Sequence, residues 1–191
     1  MQMSGKYRIE APREAVWAAL NDPEVLKQAI PGCEEIEKVS DTELAAKVKI
    51  KVGPVSAKFS GKVTLSDLDP PKGYTISGEG KGGPAGFAKG GAKVRLEEDG
   101  AATILHYDVE ARVGGKLAQI GSRLIDATAK KMANDFFARF AEVVGGPAPE
   151  EAAEIPVPAE KAAPVGAVRP LYWALGVVAI VLVLLAIFGL D

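Results

Sequence analysis

Five segments of the chain alternate apolar with polar side chains, and this pattern limits the possible folds more than any other feature. The segments are 47–52, 55–65, 74–80, 89–97 and 103–111. A period of two is typical of strands that bury one face of a sheet. Short turn sequences separate the segments, and one of them, Asp99-Gly100, is a strong hairpin signal. The sequence therefore predicts an antiparallel meander of strands.

Helical signals lie on both sides of this meander. After a first strand, Ala11-Pro12 and Asp22-Pro23 each place a proline at the start of a short helix, and Pro31-Gly32 ends the second helix. Residues 115–144 carry apolar side chains three and four positions apart, which predicts one long final helix. Because a sheet with one apolar face needs a partner layer, we expect an α+β fold in which the sheet bends around this helix.

The C-terminal residues predict a membrane anchor. No charged side chain occurs in 171–190, and a helix of about twenty apolar residues is long enough to cross a bilayer. We therefore predict a transmembrane helix over 170–191. Leu171, Tyr172 and Trp173 are expected at the membrane interface, where aromatic residues concentrate.

The residues before this anchor predict a flexible linker. Positions 146–169 are rich in Pro, Ala and Glu and have no apolar periodicity. Residues 1–145 are then one folded domain. Arg169 precedes the anchor, and the first residues contain no apolar run that could serve as a signal peptide. We therefore expect the domain to lie on the cytoplasmic side of the membrane.

Few residues have the chemistry that catalysis or metal binding requires. Cys33 is the one cysteine, and His106, the one histidine, shares the outward face of its segment with Asp108 and Glu110. The inward face has no carboxylate pair and no nucleophile beside a base. We therefore expect no catalytic residue, no metal site and no enzyme activity. A formal charge of −2 also argues against nucleic acid as a partner, because such binding needs a clustered basic surface.

The segment 78–91 reads GEGKGGPAGFAKGG and matches the pattern G-x-G-x-x-G at Gly78, Gly80 and Gly83. A dinucleotide site needs a helix after this pattern, so that backbone amides and the helix dipole meet the pyrophosphate. Here Pro84 and another alternating segment follow, which argues against that interpretation. The segment instead predicts a hairpin with a long flexible tip.

Phe87 is the one large apolar side chain of this tip, and Lys81 and Lys89 flank it. An exposed aromatic residue on a mobile tip suits a gate over a cavity or a docking element for a partner. The alternative is a tight turn with Phe87 packed into the core. The two interpretations differ in the exposure of this ring.

The order of the predicted elements resembles the helix-grip fold of START-like and pollen-allergen-like lipid-binding proteins. Four segments narrow the resemblance: 4–39, 51–71, 78–96 and 114–140, the last reading GGKLAQIGSRLIDATAKKMANDFFARF. They are similar to the family of the carbon monoxide dehydrogenase CoxG protein. This resemblance implies a non-enzymatic partner of a cytosolic molybdenum hydroxylase, carbon monoxide dehydrogenase or a relative, which helps to attach that enzyme to the bacterial inner membrane.

The inner face of the predicted sheet combines small residues with aromatic ones, and together with the helix-grip resemblance this favours an apolar cavity under the final helix. The predicted lining residues are Phe59, Val63, Tyr74, Ile76, Tyr107, Leu117, Ile120, Leu124, Thr128, Met132 and Phe136. The expected ligand is a respiratory quinone, menaquinone or ubiquinone, carried between the membrane and the dehydrogenase. Two alternatives stay open: a scaffold with a packed interior that only recruits the dehydrogenase, and an enzyme of the polyketide-cyclase type.

The opposite face of the predicted sheet is rich in basic side chains. They are Lys47, Lys49, Lys51, Lys58, Lys62, Lys89, Lys93 and Arg95. Such a face is usually a solvated surface, and a site for anionic lipid or for an acidic partner is the alternative. The sequence leaves both interpretations open.

Overall fold

Seven antiparallel strands form one sheet in the computed structural model, which describes residues 1–145. The strands are β1 (Gln2–Ile9), β2 (Cys33–Lys38), β3 (Glu43–Val52), β4 (Val55–Asp69), β5 (Gly73–Lys81), β6 (Phe87–Asp99) and β7 (Ala102–Gly114). The helices are α1 (Arg13–Leu20), α2 (Pro23–Ala29) and α3 (Ser122–Val144). The strands lie in the order β1-β7-β6-β5-β4-β3-β2. This architecture confirms the predicted helix-grip α+β fold.

The alternation in the sequence corresponds to one buried and one exposed face of the sheet. On β3, Val48, Ile50 and Val52 are buried, whereas Lys49 and Lys51 between them are exposed. The longer strands β4 to β7 follow the same rule along much of their length. The inner face of the sheet is therefore the one that the sequence predicted.

Two short helices follow β1 where the proline signals predict them. The Asp22 side chain accepts a hydrogen bond of 2.8 Å from the Glu24 backbone N–H and so caps α2, whose first residue is Pro23. Leu26 and Ala29 form the buried side of α2, and this helix packs against α3. Both short helices therefore contribute to the hydrophobic core.

The C-terminal half of α3 is the most deeply buried part of that helix. Phe136, Phe137 and Phe140 are buried, and the Phe137 ring stacks on Tyr7 of β1 with 4.0 Å between the ring centroids. The Tyr7 hydroxyl donates a hydrogen bond to the side-chain oxygen of Asn134. Stacking and hydrogen bonding together attach α3 to the edge strand of the sheet.

Strand β2 was not predicted from the sequence. Its sequence, CEEIEK, has a single buried residue, Ile36, which lies opposite Ala46 of β3. Ion pairs on the outer face support it, since Glu35 lies 2.6 Å from Lys47 and Glu34 lies 2.8 Å from Lys58. One apolar position is too weak a pattern to indicate a strand, so only the neighbouring strand reveals it.

The prediction of one helix over 115–144 was wrong in its first third. Gly115 and Gly121 have φ angles of +74° and +98°, which break the helix before Ser122. Leu117 begins a separate 3-10 turn, Ala118–Ile120, and its N–H donates to the carbonyl of Ala85, 3.0 Å away. The spacing of the apolar residues continues through this connection without a continuous helix.

The predicted linker at 146–169 and the predicted anchor at 170–191, with its interfacial residues Leu171, Tyr172 and Trp173, lie outside the described residues. Within 1–145, no helix has both the length and the apolar composition that crossing a membrane requires. The membrane prediction therefore depends on the sequence of the tail alone.

Candidate ligand-binding site

Small residues from five neighbouring strands meet in the middle of the inner face. Gly61 of β4 lies between Ala46 of β3 and Gly80 of β5 in one row, and Gly78 lies opposite Gly90 in the next. Ala88 and Ala111 extend these two rows onto β6 and β7. We call these seven residues the small-residue patch. Because no large side chain rises from it, the sheet itself leaves room above the patch for another molecule or for the helix side.

Most of the predicted lining residues surround this patch and are buried. They are Phe59, Val63, Tyr74, Ile76, Tyr107, Leu117 and Phe136. All except Leu117 and Phe136 come from the inner face of the sheet, and Leu117 is held by the connection between β7 and α3. The structure thus brings residues from distant parts of the sequence around one apolar region.

The remaining four predicted lining residues lie toward the exposed start of α3. Ile120, Thr128 and Met132 are half-buried, and Leu124 is 40 % exposed. A Cβ added to Gly53, in the turn between β3 and β4, would lie 2.8 Å from Leu124 Cδ2. Leu124 therefore lies at the rim of the site, beside this turn, rather than in its interior as the sequence analysis expects.

Tyr74 provides a polar atom inside the apolar region. Its side chain is 3 % exposed and shares the inner face of β5 with Ile76 and Gly78, and the edge of Trp17 contacts its ring with the centroids 5.2 Å apart. The hydroxyl is buried and has no hydrogen-bond partner among residues 1–145. Burial raises the pKa of Tyr74 above its usual range, so the phenol stays protonated and keeps a proton to donate.

An unpaired buried hydroxyl is unfavourable and needs an explanation. Leaving such a donor without a partner costs about 1–3 kcal/mol, and native proteins satisfy nearly all of their buried polar groups. A bound molecule with an acceptor oxygen would satisfy the Tyr74 hydroxyl. The small-residue patch on the same strand is the part of the interior with the fewest protein atoms above the backbone.

The glycine-rich hairpin is shorter and better fixed than predicted. β5 ends at Lys81 and β6 begins at Phe87, so the tip has only five residues, with a hydrogen bond of 2.9 Å from the Gly82 N–H to the Gly86 carbonyl. A Cβ on Gly82 would lie 1.8 Å from Phe59 Cε1, so the ring excludes any larger residue there. The prediction of a long flexible tip was wrong because the glycines allow close packing and a tight turn rather than a loop.

Phe87 lies on the outer face at the first position of β6. Its side chain is 53 % exposed, and its ring covers the backbone of Gly114 on β7, where a Cβ would lie 2.3 Å from Phe87 Cε1. The alternative in which Phe87 packs into the core is therefore wrong. Lys89, two residues along the same face, is also exposed.

We expect Phe87→Ala to lower the free energy of unfolding by less than about 1 kcal/mol, because about half of the ring already contacts water. Phe136→Ala is the matched control, since the same truncation at a fully buried position should cost about 3–5 kcal/mol. Denaturant unfolding of the two variants measures both values. Equal losses would contradict the exposed position of Phe87.

The sulfur and imidazole groups lie away from this interior. Burial is the main cause that raises the pKa of Cys33 to about 11, so its thiol is protonated and a poor nucleophile near neutral pH. His106 lies on the outer face with Nε2 2.6 Å from the Glu97 carboxylate, and burial together with Arg95 lowers its pKa. Within 1–145, no group of three or more His, Cys, Asp or Glu residues could hold a metal ion.

A sheet of this order with a C-terminal helix defines the helix-grip class of domains, and solved structures share it. A conserved protein from Geobacillus kaustophilus is 30 % identical, with a TM-score of 0.71 over 75 % of this chain and 95 % of that chain. The Zhui aromatase/cyclase from Streptomyces sp. R1128 is 15 % identical, with a TM-score of 0.54 over 76 % and 98 % of the two chains. At that identity, the likeness to the cyclase shows the fold alone.

The family within this class follows from the sequence of the same domain. The family model of the carbon monoxide dehydrogenase CoxG protein matches residues 5–145. The chain therefore belongs to the CoxG family, as its four segments predicted. Among curated proteins, none matches this chain in sequence.

Proposed function

We propose that residues 1–145 bind a respiratory quinone, menaquinone or ubiquinone, between the sheet and α3. The observation that carries this proposal is the buried Tyr74 hydroxyl, which has no partner among the described residues. A quinone is an apolar molecule whose polar atoms are carbonyl oxygens, and these accept hydrogen bonds. One phenol donor in an apolar interior matches that chemistry, and the small-residue patch provides space for a flat ring.

The protein carries this ligand between the bilayer and a dehydrogenase. Quinones partition into membranes, so a dehydrogenase outside the membrane needs a carrier or must itself reach the bilayer. The name of the CoxG family points to carbon monoxide dehydrogenase, and we propose that enzyme or a related molybdenum hydroxylase as the partner. The protein itself is then a carrier and not an enzyme.

The predicted tail suits this role at the bacterial inner membrane. Residues 170–191 hold the chain in the bilayer with its domain on the cytoplasmic side, and 146–169 form the tether. An extended Pro-rich chain spans about 3.1 Å per residue, so the tether reaches on the order of 75 Å. This length lets the domain move between the membrane surface and a bound dehydrogenase.

Phe87, Lys81 and Lys89 form the docking element for the dehydrogenase in this proposal. Phe87 and Lys89 are exposed on one face of β6, and an exposed aromatic residue beside cations is a frequent anchor of interfaces. Phe87→Ala combined with Lys89→Glu should then weaken recruitment of the dehydrogenase without unfolding the domain. The alternative function, a scaffold that binds no ligand, shares this docking element but has no use for the Tyr74 hydroxyl.

The experiment that tests the proposal removes this hydroxyl. Tyr74→Phe should lower the affinity for a quinone by about three- to tenfold, the value of one neutral hydrogen bond. The same change should leave the free energy of unfolding of the ligand-free protein equal or higher, because it removes an unsatisfied donor. Quinone titration and denaturant unfolding of the same variant measure the two effects.

Tyr7→Phe is the matched control for this experiment. The Tyr7 hydroxyl has a partner in Asn134, so its loss should lower the stability by about 1 kcal/mol and leave quinone binding nearly unchanged. If Tyr74→Phe instead destabilised the ligand-free protein as Tyr7→Phe does, the hydroxyl would have a partner within the protein. The quinone proposal would then lose its main support.

A further inference from the structure

The two ends of the sheet carry opposite charge. Because the strands form an antiparallel meander, the β3–β4 turn, the β5–β6 tip and the end of β7 share one end with the start of α3, whereas the β2–β3, β4–β5 and β6–β7 turns share the other. We call the first the open end, residues 49–58, 79–89 and 112–123, and the second the acidic end, residues 38–43, 66–73 and 97–103.

The open end has eight basic residues and one acidic residue, Glu79. The basic residues are Lys49, Lys51, Lys58, Lys81, Lys89, Arg112, Lys116 and Arg123. The acidic end has the opposite balance, with two basic residues, Lys38 and Lys72, and seven acidic ones. The acidic ones are Asp41, Glu43, Asp67, Asp69, Glu97, Glu98 and Asp99. A domain with nearly balanced charge therefore presents a positive end to whatever approaches it.

The cations of the open end are available for a partner. Lys58 forms an ion pair with Glu34 at 2.8 Å, and the other seven form no ion pair with any residue of the described domain. All of them except Lys81, which is half-buried, are exposed. An acidic surface would therefore meet cations that are not already neutralised within the domain.

Apolar side chains are exposed between these cations. Leu124, one residue beyond the open end on α3, is 40 % exposed, and Phe87 at the tip is 53 % exposed. Val55, Val113 and Ile120 nearby are half-buried. Leu124 and Ile120 also approach Gly53 of the β3–β4 turn, so the apolar groups lie at the rim of the candidate site.

We propose that the open end is a docking surface for an anionic lipid bilayer, which it meets end-on. Basic residues at a membrane surface attract anionic headgroups, and apolar side chains among them enter the region between headgroups and acyl chains. The cations come from three separate segments around one end, an arrangement that fits a plane rather than one pocket of a protein. This inference rests on the proposed function, since the rim of the quinone site would then face the acyl chains.

The test uses the full chain with an environment-sensitive fluorophore on one cysteine. Leu124→Cys carries the label at the open end, and Leu68→Cys, at a leucine 43 % exposed in the acidic end, is the matched control; Cys33→Ser is made in both. The proteins are inserted into vesicles of phosphatidylcholine alone or mixed in equal parts with phosphatidylglycerol. Because both proteins have the same tail, only the orientation of the domain distinguishes them.

We expect the emission of the Leu124 label to shift to shorter wavelength on anionic vesicles only, and the Leu68 label to stay unshifted. The shift should disappear in about 1 M salt, where the Debye length is about 3 Å. Lys116→Glu with Arg123→Glu should weaken the docking at least about tenfold, whereas Lys38→Glu with Lys72→Glu should leave it unchanged.

Equal emission of the two labels on anionic vesicles would overturn the docking proposal, and so would a shift that appears only after the dehydrogenase is added. The quinone content of the same preparation separates this failure from a failure of the proposed function. If quinone is bound while the Leu124 label is unshifted, only the docking surface is wrong. If quinone is absent as well, the proposed function also fails.

Discussion

Deletion of residues 170–191 moves the protein from the membrane fraction to the soluble fraction in the expected result. These residues contain the one run in the chain that is long and apolar enough to cross a bilayer by sequence, and no helix within 1–145 could replace it. Cell fractionation followed by detection of the protein in pellet and supernatant measures the change. A deletion of 146–169 that keeps the anchor is the matched control, and it should stay in the pellet.

Salt separates an anchor from surface docking in this experiment. At low ionic strength, some of the truncated protein is expected to bind anionic membranes through the cations of the open end, and about 1 M salt should release it. Truncated protein that pelleted with membranes and resisted this salt wash would contradict the anchor assignment.

The second large effect is expected when the space above the small-residue patch is filled. Ala57 of β4 is half-buried and packs against the core from the inner face. In Ala57→Trp, the indole should occupy the space that the quinone needs and abolish binding. Because the space is otherwise available, the free energy of unfolding should change by less than about 1 kcal/mol, whereas overpacking a filled core costs about 1–3 kcal/mol.

Ser56→Trp is the control for this substitution, because Ser56 is the neighbouring residue and is exposed on the outer face. It adds the same side chain to the same strand and should leave quinone binding unchanged. Quinone titration and thermal unfolding of both variants check the prediction. A loss of stability in Ala57→Trp of the size expected for overpacking would instead support the scaffold with a packed interior.

The parts of the fold that the sequence predicted are those with a strong periodic pattern. Lys49 and Lys51 alternate with Ile50 and Val52, and this period of two can be satisfied only by a strand with one buried face. The helix starts at Pro12 and Pro23 were predictable because proline fits the first turn and fixes the backbone there. Local chemistry was enough in these segments.

The errors occurred where local signals had more than one structural meaning. Apolar spacing continued from Leu117 into α3, although Gly115 and Gly121 adopt left-handed backbone angles that interrupt a helix. The glycines around Gly82 indicated flexibility, but the Phe59 ring and the backbone of the next connection fill the space around the tip. Both outcomes depend on tertiary contacts that a single segment does not contain.

The candidate site was predictable in its composition and less so in its geometry. Alternation places Tyr74 on the inner face, but only the structure shows that no described residue reaches its hydroxyl. Helical spacing groups Leu124 with Thr128 and Met132, but it does not tell which of them lies at the rim. Side-chain partners and exposure both depend on how α3 packs against the β3–β4 turn.

The most direct test of the quinone proposal is extraction of the purified full chain with organic solvent, followed by mass spectrometry of the extract. Ala57→Trp purified in the same detergent gives the background of quinone that follows any membrane-anchored protein. The proposal predicts close to one menaquinone or ubiquinone per wild-type chain and only background in Ala57→Trp. Equal amounts of quinone in the two preparations would contradict it.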